Sequence, residues 1–326
     1  MKFLLSAVLA STVLMAEAYD PLKVPAVEIV SKTFDVKDAT RDRTLPVRIY
    51  LPESAKPAPV ILFSHGLGGS RDNNPYLGNH WAKRGYVVVF IQHPGSDESV
   101  WKESQVGQRM GAMKQAASLK NFMNRTKDVP AVIDALTNWN TDKQNLLHDR
   151  FDLKHIGMSG HSFGAVTTQA MAGQSAAGGR VSFTEPRISA AVMMSPSPPA
   201  MGDPAKAFES IRIPCLLMTG TLDTSPIGNS SAEDRLKVFP FLTKAPAWQV
   251  VFDKATHMSF GDRDLKGNSE NGNRYHKAIL ALTTAFWDTQ LRQDKAARTW
   301  LNGSDARAVL VTEDKWDLNT KAKNSL

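Results

Sequence analysis

The strongest chemical signal in the sequence is a serine within the pentapeptide Gly-His-Ser-Phe-Gly at residues 160–164. A short apolar run at 155–159 precedes it and a helical pattern follows it, so Ser162 is predicted to lie on a tight turn from strand to helix. Strand and helix approach closely in such a turn, which requires the small residues Gly160 and Gly164. The turn presents the serine hydroxyl above the sheet edge, beside a helix N-terminus that favours negative charge. This arrangement predicts a serine nucleophile.

A histidine that could activate this serine follows it in the sequence. A serine hydroxyl attacks a carbonyl carbon only when a base takes its proton, and the usual base is a histidine oriented by a carboxylate. After a turn of this kind the acid precedes the histidine along the chain. His257 follows the last apolar run, at 248–252, and is the predicted base. His276 falls in a predicted helix and is expected at the surface.

Asp223 is the predicted acid, because it follows the apolar run at 215–219 in a loop at the end of a predicted strand. The carboxyl ends of parallel strands meet at one edge of a sheet, so Ser162, Asp223 and His257 can converge there. Three other aspartates compete for this role. Asp234 falls in a predicted helix, Asp253 is too close to the histidine, and Asp262 comes after it.

Backbone N–H groups near Ser162 must stabilise the negative charge on the attacked oxygen. One comes from the residue after the nucleophile, Phe163, and the other from the glycine-rich loop at 63–70. Glycines let that backbone approach a substrate closely, and we assign the second N–H to Leu67. Six residues of the neighbouring loops are further expected to line the substrate pocket: His65, Gly66, His93, Trp101, His161 and Ser195.

The elements that must position these residues alternate between strands and helices along most of the chain. Two segments alternate apolar and polar residues and predict antiparallel edge strands: 27–37 and 45–51. Six continuous apolar runs predict strands buried on both faces, as in a parallel sheet covered by helices: 60–63, 87–91, 155–159, 188–194, 215–219 and 248–252. Helical patterns lie between or after them: 75–84, 127–139, 165–177, 232–242 and 275–301. This alternation predicts an α/β fold with right-handed crossovers.

Two motifs together resemble a known family. Ser-His-Gly-Leu-Gly at 64–68 and the pentapeptide at 160–164 look like platelet-activating-factor acetylhydrolases and the related exported bacterial dienelactone hydrolase-like esterases. Gln-His-Pro-Gly-Ser-Asp at 92–97 and Thr-Ala-Phe-Trp at 284–287 are also similar to the bacterial group. The resemblance covers most of residues 45–300. It implies the α/β-hydrolase fold, with a mostly parallel central sheet flanked by helices, and an oxyanion hole formed by the residues after His-Gly and after the serine, which match Leu67 and Phe163.

The chain departs from this family at the acid. The acetylhydrolases carry their aspartate just after the strand that follows the nucleophile helix, where this chain has Ser195. Asp223, one strand later, is similar instead to the arrangement in cutinase-like polyester hydrolases and most of the superfamily. Dienelactone hydrolases use a cysteine nucleophile, whereas Cys215 lies in a predicted strand. Neither a phospholipid nor a dienelactone substrate therefore carries over from the resemblance.

Residues 97–126 form the longest stretch beside the predicted site to which no element is assigned. Apolar residues, among them Trp101, punctuate a polar background there. A cap insertion that shapes the acyl or alcohol pocket is one interpretation, and ordinary core packing by an amphipathic helix is the other. His93 is expected to brace a loop, with a catalytic role as the weaker alternative.

Composition argues against several classes of protein. The chain has 326 residues, of which 39 are basic and 32 acidic, and a formal net charge of +7. The basic residues are scattered rather than clustered, so nucleic-acid binding is not expected. The single cysteine, Cys215, cannot form an internal disulfide or a Cys-x-x-Cys redox pair. Paired metal-ligating histidines are also missing from the sequence, and we expect neither a metal nor a cofactor.

Residues 1–18 have the pattern of a secretory signal peptide: a positive start, an apolar run at 3–15 and a cleavage site, Ala-Glu-Ala, at 16–18. We expect an exported protein, periplasmic or secreted, with an uncleaved N-terminal anchor as the alternative. No other stretch is apolar for long enough to span a bilayer, so no integral membrane span is expected after cleavage. Residues 19–302 are predicted to form one catalytic domain, followed by a polar tail at 303–326 that wraps the surface or frays.

These observations predict an exported serine carboxylesterase that acts on a small-molecule or lipid-like ester, with a short acyl or acetyl group as the first expectation. A polyester, phospholipid or lipase-type hydrolase of the same fold is an alternative. A serine peptidase is another, although such enzymes usually add a large accessory domain. A homologue that only binds a ligand is the last, and it would have no need of a complete triad.

Overall fold

The protein is described here by a computed structural model, which covers residues 18–225, 227–228, 230–262 and 269–323. The predicted signal peptide lies outside these residues, apart from Ala18. Within the described ranges, no helix combines the length and the apolar character that a membrane span needs.

Within the described residues, nine strands form one mixed sheet and two short ones form a separate hairpin. The strands are β1 (Val30–Asp38), β2 (Arg43–Leu51), β3 (Ala58–Ser64), β4 (Val87–Ile91), β5 (Phe151–His161), β6 (Ser175–Ala176), β7 (Val181–Ser182), β8 (Ile188–Met194), β9 (Cys215–Leu222), β10 (Ala247–Thr256) and β11 (Lys315–Leu318). The order across the sheet is β1-β2-β4-β3-β5-β8-β9-β10-β11. Neighbours from β4 to β10 pair in parallel, and β1, β2 and β11 are antiparallel to their neighbours. The prediction of a mostly parallel sheet is therefore confirmed.

Helices follow most of the parallel strands. They are α1 (Pro75–Lys83), α2 (Ser99–Lys102), α3 (Arg109–Ala116), α4 (Leu119–Thr141), α5 (Phe163–Ala172), α6 (Pro204–Phe208), α7 (Ala232–Arg235), α8 (Ser269–Leu291), α9 (Lys295–Asn302), α10 (Ser304–Ala308) and α11 (Thr320–Lys323). Short 3-10 turns occur at Val106–Gln108, Ala177–Gly179, Phe239–Phe241 and His257–Phe260.

Helices cover both faces of the sheet, which explains the continuous apolar runs of its strands. Alternate residues of β3 enter different cores: Ile61 packs with the α1 and α8 residues Trp81 and Trp287, and Leu62 packs with Val132 of α4. A third cluster lies between β8, β9 and the helices α5 and α6. The carboxyl ends of β3, β5, β9 and β10 are therefore held at one rigid edge.

Helix boundaries differ from the sequence prediction in four places. α5 ends at Ala172 rather than at 177, and Gly173 directly after it has φ +122°. α4 begins at Leu119, eight residues before the predicted start, because Ser118 accepts a hydrogen bond from the Asn121 N–H and caps it. The helix predicted at 232–242 is only α7 and a 3-10 turn, which is consistent with Pro240 interrupting helical hydrogen bonding. The helix predicted at 275–301 is divided near Gln293, whose φ is +56°.

The C-terminal segment also differs from the expected tail outside the domain. β11 pairs antiparallel with β10 and completes the sheet. Asn319 then donates to the carbonyl oxygens of Leu242 and Ala245, and Asp314 accepts from Arg274 of α8. Short alternating strands such as Lys315–Leu318 give a weak sequence signal, so only the neighbouring strand makes this one recognisable.

Candidate active site

The nucleophile turn lies between β5 and α5. Ser162 has φ +56° and ψ −118°, an uncommon backbone conformation for a residue with a side chain. A β-carbon on Gly160 would collide with the Gly164 backbone, and one on Gly164 would collide with the Ser64 backbone. The two glycines thus allow β5, α5 and the end of β3 to meet, as the motif predicts. The turn also puts the Ser162 hydroxyl at the N-terminal end of α5.

Three side chains that are distant in the sequence are joined by hydrogen bonds at this edge. His257 Nε2 lies 2.8 Å from Ser162 Oγ. His257 Nδ1 lies 2.7 Å from Asp223 Oδ1. Asp223 follows β9 and is fully buried, while His257 begins the 3-10 turn after β10. The structure therefore brings the predicted serine, histidine and aspartate into one row.

The surroundings of Asp223 keep it ionised. Burial by itself would raise the pKa of this carboxyl, but the hydrogen bond from His257 and the charge of Arg235 outweigh it, so the pKa is lowered. Arg235 Nε lies 3.5 Å from Asp223 Oδ1, and Thr219 Oγ1 donates to Oδ2 at 2.9 Å. An ionised carboxylate only accepts hydrogen bonds, so His257 Nδ1 carries the ring proton. With the ring proton on Nδ1, Nε2 is left to accept the Ser162 hydroxyl proton.

Two backbone N–H groups are available beside the serine. Phe163 is the first residue of α5, where an N–H has no intrahelical partner. In the loop after β3, the N–H groups of Gly68 and Gly69 donate to Ser96 and Gly66 carbonyls, whereas the Leu67 N–H makes no hydrogen bond within the described residues. A β-carbon on Gly66 would stand 3.4 Å from Ser162 Cβ, so this loop runs directly past the serine. The two predicted donors thus come from segments that both adjoin Ser162.

The order of the strands in the sheet and the turn from β5 to α5 agree with the result of a comparison with protein families. A family model described as alpha/beta hydrolase fold matches residues 59–217, from β3 into β9 and across the nucleophile turn.

The chain has the α/β-hydrolase fold.

No curated protein was found to match this chain. The family match supports the superfamily, and the finer resemblance to the acetylhydrolases stays a prediction.

Several residues expected to line the substrate pocket are buried beneath the loops instead. His65 is 1% exposed, and His93 and Ser195 are fully buried. They hold loops together: the His93 N–H donates to His65 Nε2 at 3.0 Å, and Ser195, directly after β8, has φ +59° and donates its N–H to the Met218 carbonyl at 2.7 Å. Sequence position at a strand end could not tell a side chain directed into the pocket from one directed under the loop. Gly66 alone among the loop residues after β3 has the predicted place beside Ser162.

His161 and Trp101 flank the row without belonging to it. The His161 Nε2–H donates to the His257 carbonyl oxygen at 3.0 Å, and the two rings are 4.8 Å apart. Burial lowers the pKa of His161 to about 3, so its ring is neutral near pH 7. Trp101 Nε1 donates to the Gly68 carbonyl at 2.7 Å, and Arg109 lies over its ring. The segment at 97–126, containing α2, α3 and the start of α4, is therefore attached to the loop that carries Leu67.

The sequence analysis did not identify two buried charged residues of α4. Arg125 and Asp128 are both 0% exposed. Arg125 lies four residues before Val129, and Asp128 lies four residues before Val132, so both are on the apolar face of the helix. Charged residues on an apolar face are the sequence signal that could have identified them. Buried charges require partners, and these partners come from the loops beneath the site. Arg235, beside Asp223, was missed in the same way.

No cluster of His, Cys, Asp or Glu that could hold a metal ion occurs among the residues that the structure describes. The candidate site is thus built from a hydrogen-bonded serine, histidine and aspartate with two backbone donors. Such a constellation is suited to nucleophilic attack on a carbonyl carbon.

Proposed function

We propose that this α/β hydrolase is an exported serine carboxylesterase that cleaves esters of short acyl chains through an acyl-enzyme. One observation carries the proposal: the continuous row from Ser162 Oγ to His257 Nε2 at 2.8 Å and from His257 Nδ1 to Asp223 Oδ1 at 2.7 Å. A nucleophile, a base and an orienting acid at hydrogen-bond distance are what acyl transfer requires.

In the first half-reaction Ser162 Oγ attacks the ester carbonyl carbon while His257 Nε2 takes the hydroxyl proton. Asp223 holds the ring and stabilises the imidazolium that forms. The carbonyl oxygen becomes an oxyanion, to which the N–H groups of Leu67 and Phe163 donate. The tetrahedral intermediate then collapses, the C–O bond to the alcohol breaks, and His257 returns its proton to the leaving alcohol.

In the second half-reaction water takes the place of the alcohol. His257 removes a proton from water as it attacks the acyl carbon, and the same two N–H groups receive the second oxyanion. The bond to Ser162 Oγ breaks, the serine recovers its proton from His257, and the carboxylic acid leaves. Every proton in this cycle passes through His257.

The loop beside Leu67 supports a short acyl chain. A β-carbon on Gly68 would collide with the Met113 side chain and stand 3.1 Å from the Trp101 ring, so both side chains pack onto this loop. Space next to the proposed oxyanion hole is accordingly limited on that side. Export rests on the signal-peptide pattern at 1–18.

Hydrolysis of p-nitrophenyl esters from acetyl to palmitoyl, by the wild type and Ser162→Ala in parallel, tests the proposal. We expect a short-chain optimum and a loss of about a thousandfold or more in the variant. Equal rates in both proteins would reject Ser162 as the nucleophile. A long-chain optimum would favour a lipase-type hydrolase instead.

Two further assays separate the remaining alternatives. Turnover of a peptide-amide panel without ester hydrolysis would point to a serine peptidase. Failure of a fluorophosphonate probe to label Ser162 would favour a protein that only binds a ligand, since labelling requires an activated serine. Mass spectrometry of the labelled peptide identifies the residue that reacts.

A further inference from the structure

Arg125 is a fully buried arginine whose side chain reaches from α4 to the floor of the candidate site. Its Nη1–H donates to the His65 carbonyl at 2.7 Å, and its Nε–H donates to Ser96 Oγ at 2.9 Å. Burying a guanidinium is costly unless its donors are satisfied. No step of the proposed reaction uses this residue.

The same guanidinium also touches the other side of the proposed oxyanion hole. Its carbon lies 4.4 Å from the centroid of the Phe163 ring, a distance at which a cation is attracted to the face of an aromatic ring. His65 is two residues before Leu67 in the loop after β3, and Phe163 begins α5. One side chain therefore contacts both segments that carry the proposed donors.

A chain of hydrogen bonds behind Arg125 determines which nitrogen of each histidine carries a proton. Asp128 accepts from Arg43 and from His93 Nδ1, at 2.9 Å and 3.0 Å. His93 Nε2 then accepts from Ser64 Oγ at 3.0 Å. The His93 backbone N–H donates to His65 Nε2, so the proton of the neutral His65 ring is on Nδ1.

That proton orients the peptide of Leu67. His65 Nδ1–H donates to the Gly66 carbonyl at 2.6 Å, and the Gly69 N–H donates to the same oxygen at 3.1 Å. In a trans peptide the carbonyl and the N–H point in opposite directions. Holding the Gly66 oxygen therefore directs the Leu67 N–H to the other side of the loop and prevents the peptide from flipping.

We propose that Arg125 is a positioning residue, which holds the Leu67 and Phe163 N–H groups at the separation that the oxyanion needs. The inference rests on the proposed esterase function. Arg125 fixes the His65 carbonyl directly and Phe163 through its ring, while the row Asp128–His93–His65 keeps the adjoining peptide in one orientation. Loss of Arg125 then weakens stabilisation of the transition state more than binding of the substrate.

The test compares Arg125→Lys, Arg125→Met and Ser96→Ala with the wild type on p-nitrophenyl acetate. Lysine keeps the charge but lacks the planar fork, so it cannot replace both contacts. We expect kcat to fall about tenfold to a hundredfold in the lysine variant with KM nearly unchanged, and less in Ser96→Ala. The affinity of a trifluoromethyl ketone, which forms a tetrahedral adduct on the serine, should fall by the same factor as kcat/KM.

Arg84→Met is the matched control. Arg84 makes an ion pair with the buried Asp288 at 2.6 Å and, within the described residues, contacts no member of the candidate site. Its loss should lower the melting temperature without changing kcat. If Arg125→Met does not fold, Arg125→Lys and Ser96→Ala decide the matter.

The outcomes distinguish this proposal from the proposed function. An active wild type with folded Arg125→Lys and Ser96→Ala at unchanged kcat and ketone affinity would overturn the positioning role alone. A raised KM at constant kcat would also overturn it, since it would indicate a contact made equally in ground and transition states. A wild type that hydrolyses no ester would reject the esterase function and the positioning role with it.

Discussion

The backbone carbonyl of Ser64 packs so closely against Gly164 that no β-carbon fits between them. Ser64 ends β3, whose following loop carries Leu67, and Gly164 is the second residue of α5, which begins with Phe163. This contact therefore sets the distance between the two segments that adjoin Ser162.

Gly164→Ala should separate those two segments. An added methyl group at a close backbone contact forces a shift, and overpacking of this kind costs about 1–3 kcal/mol of folding stability. We expect a lower free energy of unfolding in urea and a lower kcat on p-nitrophenyl acetate. Gly111→Ala is the control, because nothing lies within 4 Å of a β-carbon on this helical residue of α3. Its stability should be unchanged or slightly higher.

Asp223→Asn should leave the fold intact and remove most of the activity. The amide can no longer hold the His257 tautomer in which Nε2 accepts the serine proton, and we expect kcat to fall about 10³- to 10⁴-fold. The matched variant is Asp253→Asn, at a competing aspartate in β10 whose carboxylate, within the described residues, makes only a 3.8 Å ion pair with Lys254. A similar loss in both variants would contradict the assignment of Asp223.

The buried histidines should make the protein less stable as the pH falls below about 6.5. Burial and the Arg125 charge lower the pKa of His93 to about 4, against an unfolded value of about 6.5. Between these values only the unfolded chain is protonated at His93, so stability decreases with falling pH in this window. The lowered pKa of Asp128, about 2, adds its own loss only at lower pH.

Urea unfolding at intervals between pH 7.5 and 4.5 measures how the free energy of unfolding changes with pH. Each fully buried neutral histidine contributes about 1.4 kcal/mol per pH unit to this slope. His93→Asn should be less stable at pH 7.5 and have a flatter pH dependence. An equally steep slope in that variant would show that other groups cause the acid sensitivity.

Tyr19 should be the first residue of the mature protein and should anchor it. Its hydroxyl donates to Asp288 Oδ2 at 2.8 Å, and its ring packs edge-on against Trp300. Tyr19→Phe should therefore cost about 1 kcal/mol, whereas Tyr50→Phe, whose hydroxyl makes no hydrogen bond within the described residues, should cost little. Intact mass of the exported protein checks the cleavage after Ala18, and a mass that includes residues 1–18 would reject it.

Trp101→Ala should change the preference for acyl chain length if the segment at 97–126 shapes the pocket. The indole donates to the Gly68 carbonyl, and its removal opens space beside Leu67. We expect the optimum among p-nitrophenyl esters to move toward longer chains. Trp101→Phe keeps the ring and should move it less. An unchanged profile in both variants would favour a purely structural role for this segment.

The pattern of the sequence was sufficient for the fold and for the local geometry of the nucleophile turn. Continuous apolar runs predicted the parallel strands because burial on both faces leaves that pattern in each strand separately. The turn at 160–164 could also be predicted from the sequence, because its glycines and its serine are neighbours in the chain. The order of Ser162, Asp223 and His257 followed from the order of the strands that precede them.

Only the tertiary structure decided which polar residues meet. His276, expected at the surface, is buried and stacked on Tyr76 with ring centroids 3.9 Å apart. Arg125 contacts residues 60 positions earlier in the chain, and β11 becomes a strand only against β10. The periodicity of apolar residues indicates whether a position is buried. Which residue pairs with a buried charge, and which strand hydrogen-bonds to an edge strand, depends on packing between elements that are far apart in the sequence.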